Sequence, residues 1–249
     1  MKEAALATMG TSPPVITEFV EYMNKLNKLE NLTILSTNDK QILNGATLAK
    51  IAIEQKYPQT EVNIYILPVS DITNEEENYL FMEHTVKIIS NLRKRYKRIH
   101  ICLAGGRKEM VASTMLIAQL TGINTLYHIV SPNIKEMNIE LERIRKEIEE
   151  LAQSSNPTEY YNNNKEKFDK VMFPPSDSYN VIKLPIIPYP WKTLLELHNI
   201  MTGGSVRKTE KGFLDQLKYS GLITITKQGK IILTDEGKKL YQHVIKHML

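Results

Sequence analysis

The chain has one cysteine in 249 residues, Cys102, so no disulfide framework can hold it together. Set inside an apolar run, that thiol reads as a small core residue, and a cytoplasmic location is expected. No apolar run approaches the length of about 20 residues that a membrane span needs. The opening Met1-Lys2-Glu3-Ala4 leads into a short apolar segment without a cleavage site, so neither a secretion signal nor a membrane partner is expected. Gly-x-Gly-x-x-Gly is missing after the first apolar run, which argues against a nicotinamide or flavin site. No glycine precedes a Gly-Lys-Ser/Thr at P-loop spacing.

Histidine is sparse and scattered: His84, His100, His128, His198, His243 and His247. Only His243 and His247 stand one helical turn apart, where a surface face explains them better than a metal does. No Ser-His-Asp order stands out, and carboxylates do not cluster behind the apolar runs. No metal and no cofactor are therefore expected.

What is present is alternation. Short runs rich in Ile, Val and Leu at 4–8, 32–36, 62–67, 99–103 and 125–130 alternate with helical patterns at 15–29, 46–55, 75–97 and 110–119. This is the signature of an α/β fold, a Rossmann-like, mostly parallel sheet with helices on both faces. A further helix is expected over 133–152, and the polar stretch 153–164 reads as a loop or insertion. A strand over 181–187, interrupted by Pro185, belongs at an edge or an end.

Prolines 185, 188 and 190 mark a boundary, giving one domain over 1–189 and a second over 190–249. The second reads helix (191–201), helix (205–220), hairpin (221–225 and 230–234 around Lys227-Gln228-Gly229) and helix (235–247), a winged helix-turn-helix pattern. It carries ten Lys/Arg against five Asp/Glu, a charge of +5, which leaves −1 for the rest of a chain whose net is +4. Arg207, Lys208 and Lys211 fall where a recognition helix would meet DNA, although many winged helices serve protein contacts instead. A second basic run, Arg93-Lys94-Arg95 with Lys97-Arg98, ends the 75–97 helix, suits its dipole and reads as a solvated face.

In an open parallel sheet, ligands bind beyond the carboxyl ends of the strands. Those ends carry Gly10-Thr11-Ser12, then Thr37-Asn38, then Ser70, and finally Ala104-Gly105-Gly106-Arg107-Lys108. Glycines let backbone N–H groups approach a phosphate, Arg107 offers a planar fork, and Lys108 a mobile point charge. Two cations at a helix start oppose its dipole, which suits a bound anion; an ordinary turn with solvated charges is the alternative. Ser12 fits either a phosphate contact or a simple N-cap for the helix beginning near Pro13.

Leu6-Ala7-Thr8-Met9-Gly10-Thr11-Ser12-Pro13, followed by Leu103-Ala104-Gly105-Gly106-Arg107-Lys108, resembles CRISPR-associated Rossmann-fold (CARF) proteins, and among them the archaeal CRISPR ring nucleases. The resemblance implies a homodimer that binds cyclic tetra-adenylate across its two-fold axis. It implies metal-independent cleavage to linear di-adenylate with a 2′,3′-cyclic phosphate, which switches off type III CRISPR signalling. Carried onto this sequence, Ser12 contacts the scissile ribose-phosphate, and Arg107 and Lys108 bind phosphate. A catalytic lysine is expected in the region of Lys165, Lys167 and Lys170, with Lys170 favoured and Lys167 next. Segment 153–173 is the expected cover of the cleft. The other reading is a sensor of the same ring that regulates transcription through DNA contact by its winged helix. An allosteric ribonuclease fits less well, because the tail lacks an Arg/Asn/His cluster.

Overall fold

The computed structural model describes residues 2–27, 29–103, 105–123, 125–203 and 209–248. Strands β1 (Glu3–Thr8), β2 (Asn31–Ser36), β3 (Glu61–Ile66), β4 (Arg98–Cys102) and β5 (Leu126–Val130) run parallel, and β6 (Asn180–Leu184) closes against β5 in the antiparallel sense. Their spatial order is β3-β2-β1-β4-β5-β6. Every residue of β1 and β2 is buried, so both faces of the sheet centre are covered and the strands read as unbroken apolar runs rather than alternating ones. β6 stops at Leu184 because Pro185 follows and has no N–H to give the ladder.

Helices α1 (Pro14–Leu26) and α2 (Lys40–Lys56) pack on one face of the sheet; α3 (Glu75–Arg93) and α4 (Lys108–Leu120) cover the other. α2 begins earlier than the apolar pattern suggests. Asp39 caps it, its carboxylate accepting from the Ile42 N–H at 3.0 Å, and a polar first turn precedes the buried stripe. α3 starts on Asn74, which accepts from the Glu77 N–H, and Glu75, Glu76 and Glu77 answer the positive end of its dipole.

Two expectations are corrected on the α1/α2 side. The single helix over 133–152 is two, α5 (Ile134–Arg143) and α6 (Arg145–Gln153), broken at Ile144. Leu141, Ile144, Ile148 and Leu151 stay buried through the break, which hides it from any periodicity argument. The stretch read as a loop is helical: α7 (Pro157–Asn163), capped by Asn156, is followed by α8 (Lys165–Met172). Tyr161 is fully buried, stacks on Phe168 at 5.3 Å, and donates its hydroxyl proton to Asp169 at 2.6 Å. Thr17 of α1 donates to the Met172 carbonyl. One buried aromatic pair outweighs the polar surface around it.

The tail comprises α9 (Trp191–Met201), α10 (Lys211–Tyr219), the two-stranded antiparallel pair β7 (Ile223–Ile225) and β8 (Ile231–Leu233), and α11 (Asp235–His243). It docks on α3. Lys239 pairs with Glu75 and Glu76, His243 Nδ1 lies 2.6 Å from Glu83, and Tyr79 donates to Glu236. Leu194, Leu197, Ile200, Met201, Leu217 and Ile223 belong to the same apolar cluster as α3 and α4. Ala104, Arg207 and Lys208 lie outside the described residues, as does most of the first turn expected for the second tail helix; Lys211 is the first residue of α10. No described helix is long and apolar enough to cross a membrane.

Candidate functional site

β1 and β4 are neighbours, and the chain winds outward from them in both directions, so a crevice opens beyond their carboxyl ends. Backbone hydrogen bonds fix the loops around it. The Met9 N–H donates to the Leu35 carbonyl at 2.9 Å, and the Asn38 N–H to that of Val69 at 2.8 Å. The loops after β1 and β4 press directly on each other. A Cβ on Gly10 would stand 2.5 Å from the Gly106 nitrogen, and one on Gly105 would strike the Thr8 carbonyl oxygen. Thr8 in turn donates its hydroxyl proton to the Gly105 carbonyl at 2.5 Å. Gly10 and Gly105 are therefore demanded by backbone-on-backbone packing before any ligand arrives. Gly106, at φ +99, is demanded by the turn itself.

The result is a cleft of about 540 Å³. Gly10, Thr11, Ser12, Ser70, Gly105, Gly106 and Arg107 line it, so seven residues from three separate strand ends share one address. Lys108 opens α4 beside the cleft and is exposed; Asn38 is exposed in the loop after β2. Neither of these two lines the cleft.

Ser12 does not cap α1. Its hydroxyl donates to Asn138 Oδ1 of α5 at 3.0 Å, and the helix start carries Pro13 and Pro14 instead. This corrects the capping alternative: proline at the first helical position needs no donor satisfied, leaving the serine hydroxyl available. Arg107 faces Asp71 of the loop after β3. Its Nε and Nη2 donate to the two carboxylate oxygens, and this hydrogen-bonded pairing holds the Asp71 carboxyl below its ordinary range while raising the guanidinium. Thr37 is buried, lines the same cleft, and its hydroxyl has no hydrogen-bond partner among the described residues.

A smaller groove of about 290 Å³ shares Thr11 and Gln41 with the cleft and leads past Asn138 to Arg145. Lys167 and Lys170 are not brought to the cleft. Lys167 pairs with Glu147 of α6. Lys170 Nζ lies 4.0 Å from Glu140 of α5, its side chain 76% exposed. It lines another groove, with Glu18 and Ser131. α5 thus touches Ser12 through Asn138 and Lys170 through Glu140, two residues apart. Among the described residues, no group of three or more His, Cys, Asp or Glu is arranged to hold a metal ion.

Thr37 and Asp71 stand at strand ends that the sequence marks as ligand-facing, but the pairing of Asp71 with Arg107 was not foreseen. Asn138 was missed outright: it sits on the polar side of a helix and leaves no sequence signal.

Residues 12–216 match the CRISPR-associated protein NE0113 family. A CRISPR system ring nuclease of Saccharolobus solfataricus, SSO2081, is 23% identical over 153 residues, covering 59% of this chain and 79% of that protein. Among solved structures, Enterococcus italicus Csm6 bound to cyclic hexa-2′-fluoro-hexa-dAMP is similar with a TM-score of 0.46 at 10% identity, over 88% of this chain and 47% of that one. Can2 of Sulfobacillus thermosulfidooxidans in complex with cyclic tetra-adenylate has a TM-score of 0.35 at 10% identity, over 95% and 61%. The chain spans about half the length of that Csm6 chain and less than two thirds of Can2. The family match runs from Ser12 into α10, taking in β2 to β6 but not β1, and on it the chain belongs to the CRISPR-associated protein NE0113 family.

Proposed function

We propose that this protein is a ring nuclease that binds cyclic tetra-adenylate in the cleft at the β1/β4 crevice and cleaves it by transesterification. The observation that carries the reading is the meeting of Ser12, Gly105, Gly106 and Arg107 in one cleft from sequence positions more than ninety residues apart. The name of the Saccharolobus relative points the same way.

The chemistry asks little of the protein. The 2′-hydroxyl of the substrate loses its proton and attacks the adjacent phosphorus; the P–O5′ bond breaks, O5′ takes up a proton, and a 2′,3′-cyclic phosphate remains. The protein must align the attacking oxygen and stabilise charge on phosphorus. Because Ser12 gives its proton to Asn138, its lone pairs are left to accept from the 2′-hydroxyl. Arg107 holds phosphate once Asp71 yields it, with Lys108 beside it, and the backbone around Gly105 and Gly106 supplies N–H donors. The remaining cation, for the leaving oxygen, is assigned to Lys170, which stands outside the cleft and has to swing in from α8; it is long, exposed and held by one 4.0 Å pair. Lys167, engaged by Glu147, is the less available of the two.

One chain presents a single Ser12 and a single Arg107 to a ring of four phosphates. A symmetric homodimer sharing one ring therefore completes the site and places two cuts to give di-adenylate. The basic tail supports a second reading, a sensor of the same ring that contacts DNA and leaves the ring intact. Titration of the protein with cyclic tetra-adenylate, followed by chromatography of the recovered ligand, tests the proposal. One ring per two chains, recovered as linear product, supports it. An intact ring places the sensor ahead, and no binding overturns both.

A further inference from the structure

The basic run ending α3, which reads from sequence as a solvated face, is only partly that. Lys94 and Arg95 are exposed and line nothing basic, but Arg93, Lys97 and Arg98 turn to one pocket of about 550 Å³ at the amino-terminal ends of β4 and β5. Lys183 of β6 joins them from the far edge of the sheet. This is the end of the sheet opposite the β1/β4 crevice, and it shares no residue with the cleft there.

Four cations meet there with one carboxylate nearby. Glu3 is buried and already divided between Arg98, at 3.3 Å, and His100 Nε2, at 3.0 Å. Arg93, Lys97 and Lys183 make no ion pair among the described residues. The carboxyl end of α3 explains a cation at Arg93, since the dipole there is negative. It does not explain Lys183, which comes from a strand, or the convergence of all four on one concavity. His100 lines the pocket, is 4% exposed, and its Nδ1 has no hydrogen-bond partner among the described residues. Because burial keeps the ring neutral and its Nε2 faces Glu3, Nδ1 is an acceptor open to a proton-bearing ligand atom. The unpaired cations converging on the concavity are what an anion would answer. Thr125, Asn27 and the polar character of the walls make it unsuited to an apolar occupant.

We infer that this pocket is a second ligand site, built for a small multiply charged phosphate anion of the pyrophosphate or nucleoside-diphosphate class. The volume exceeds what a single phosphate fills, and the spread of Arg93, Lys97, Arg98 and Lys183 around it suits two linked phosphates. Arg98 supplies a fork, and the lysines supply point charges that tolerate either bare pyrophosphate or a nucleotide.

The test is calorimetric titration of the full chain carrying Arg107→Ala, which weakens the crevice cleft so that it does not compete. Pyrophosphate and ADP are the two probes, at fixed ionic strength. Saturable binding of one anion per chain is expected, weakened about tenfold or more by Lys97→Ala with Lys183→Ala, two exposed positions whose loss leaves the fold intact. Equal affinity for both probes assigns the site to the linked phosphates alone; tighter ADP adds a contact to the nucleoside. Either result supports the inference. In otherwise unaltered protein, the same lysine pair should leave cleavage of cyclic tetra-adenylate unchanged, which separates this pocket from the crevice. Absence of saturable binding with Arg107→Ala, or binding indifferent to Lys97 and Lys183, overturns it.

Discussion

Arg107 and Asp71 form a two-point ion pair across the mouth of the crevice, guanidinium fork to carboxylate, from loops that follow β4 and β3. The cation best suited to a phosphate is thus already engaged by an internal anion of similar shape. On the proposed function, a ligand phosphate competes with Asp71 for the Nε–Nη2 edge of Arg107. Both side chains are partly exposed, 56% and 39%, so the pair is a weak latch rather than a lock.

Asp71→Asn should therefore tighten binding of cyclic tetra-adenylate, by about two- to fivefold, the scale of one exposed ion pair. Fluorescence titration of the variant beside the unaltered protein measures this. Weaker binding by Asp71→Asn would mean that the carboxylate positions Arg107 for the ligand rather than competing with it.

Ser12 and Asn138 act as a unit in this account. Ser12→Ala should remove most cleavage and leave most of the binding, since one neutral hydrogen bond contributes about 0.5–1.5 kcal/mol to ground-state affinity. Asn138→Ala should lower the cleavage rate more than the affinity, because the serine proton loses its acceptor while the hydroxyl remains. Single-turnover rates and equilibrium binding, measured side by side, separate the two effects. Cleavage by Asn138→Ala at the unaltered rate would take Asn138 out of the mechanism.

Lys170→Ala should slow single-turnover cleavage by about 10²-fold or more, with much less effect on binding, as expected when a group stabilising transition-state charge is lost. Lys167→Ala should cut at near the unaltered rate, because that lysine is occupied with Glu147. Reversal of the two results would move the role to Lys167. Activity in both variants would remove the lysines of α8 from the reaction.

Burial pushes the Glu18 carboxyl up to about 7, against the opposing effect of the Ser131 hydroxyl, which donates to it. Below about pH 4.5, the ordinary value for a glutamate, folded and unfolded chains both hold this proton. Between that value and about 7 the unfolded chain releases it and the folded chain keeps it, so stability falls as pH rises and levels off above. The loss is up to about 3 kcal/mol. Glu18→Gln keeps an acceptor for Ser131 and should abolish this part of the decline. Urea unfolding at about pH 4 and about pH 8 tests it; parallel profiles for the two proteins would contradict it.

How much of this could be read from the sequence depends on range. β1 to β5 were legible within a residue or so: β1 and β2 are buried along their whole length and show as largely apolar runs, and β3, of which only Val62 is buried, still carries Val62, Ile64 and Ile66 in sequence. The cleft was legible too, because a doubly wound sheet gathers strand ends at one place whatever the local residues are. The Ile144 break was not, since the buried stripe continues through it. Nor was the helical character of 157–163, where several asparagines mask a single buried Tyr161 whose partner, Phe168, lies in the next helix. The capping alternative for Ser12 stayed open because its actual partner, Asn138, lies 126 positions away. The Arg107–Asp71 pair spans 36 positions and leaves no periodic trace.

The central claim is that the crevice cuts a ring using the substrate's own 2′-hydroxyl. It is tested most directly by incubating the protein with cyclic tetra-adenylate in excess EDTA and identifying the product by mass spectrometry. The account predicts linear di-adenylate ending in a 2′,3′-cyclic phosphate, formed by the unaltered protein and nearly absent with Ser12→Ala. A ring bound but recovered intact, or a product bearing a 3′-phosphate from the outset, would contradict it.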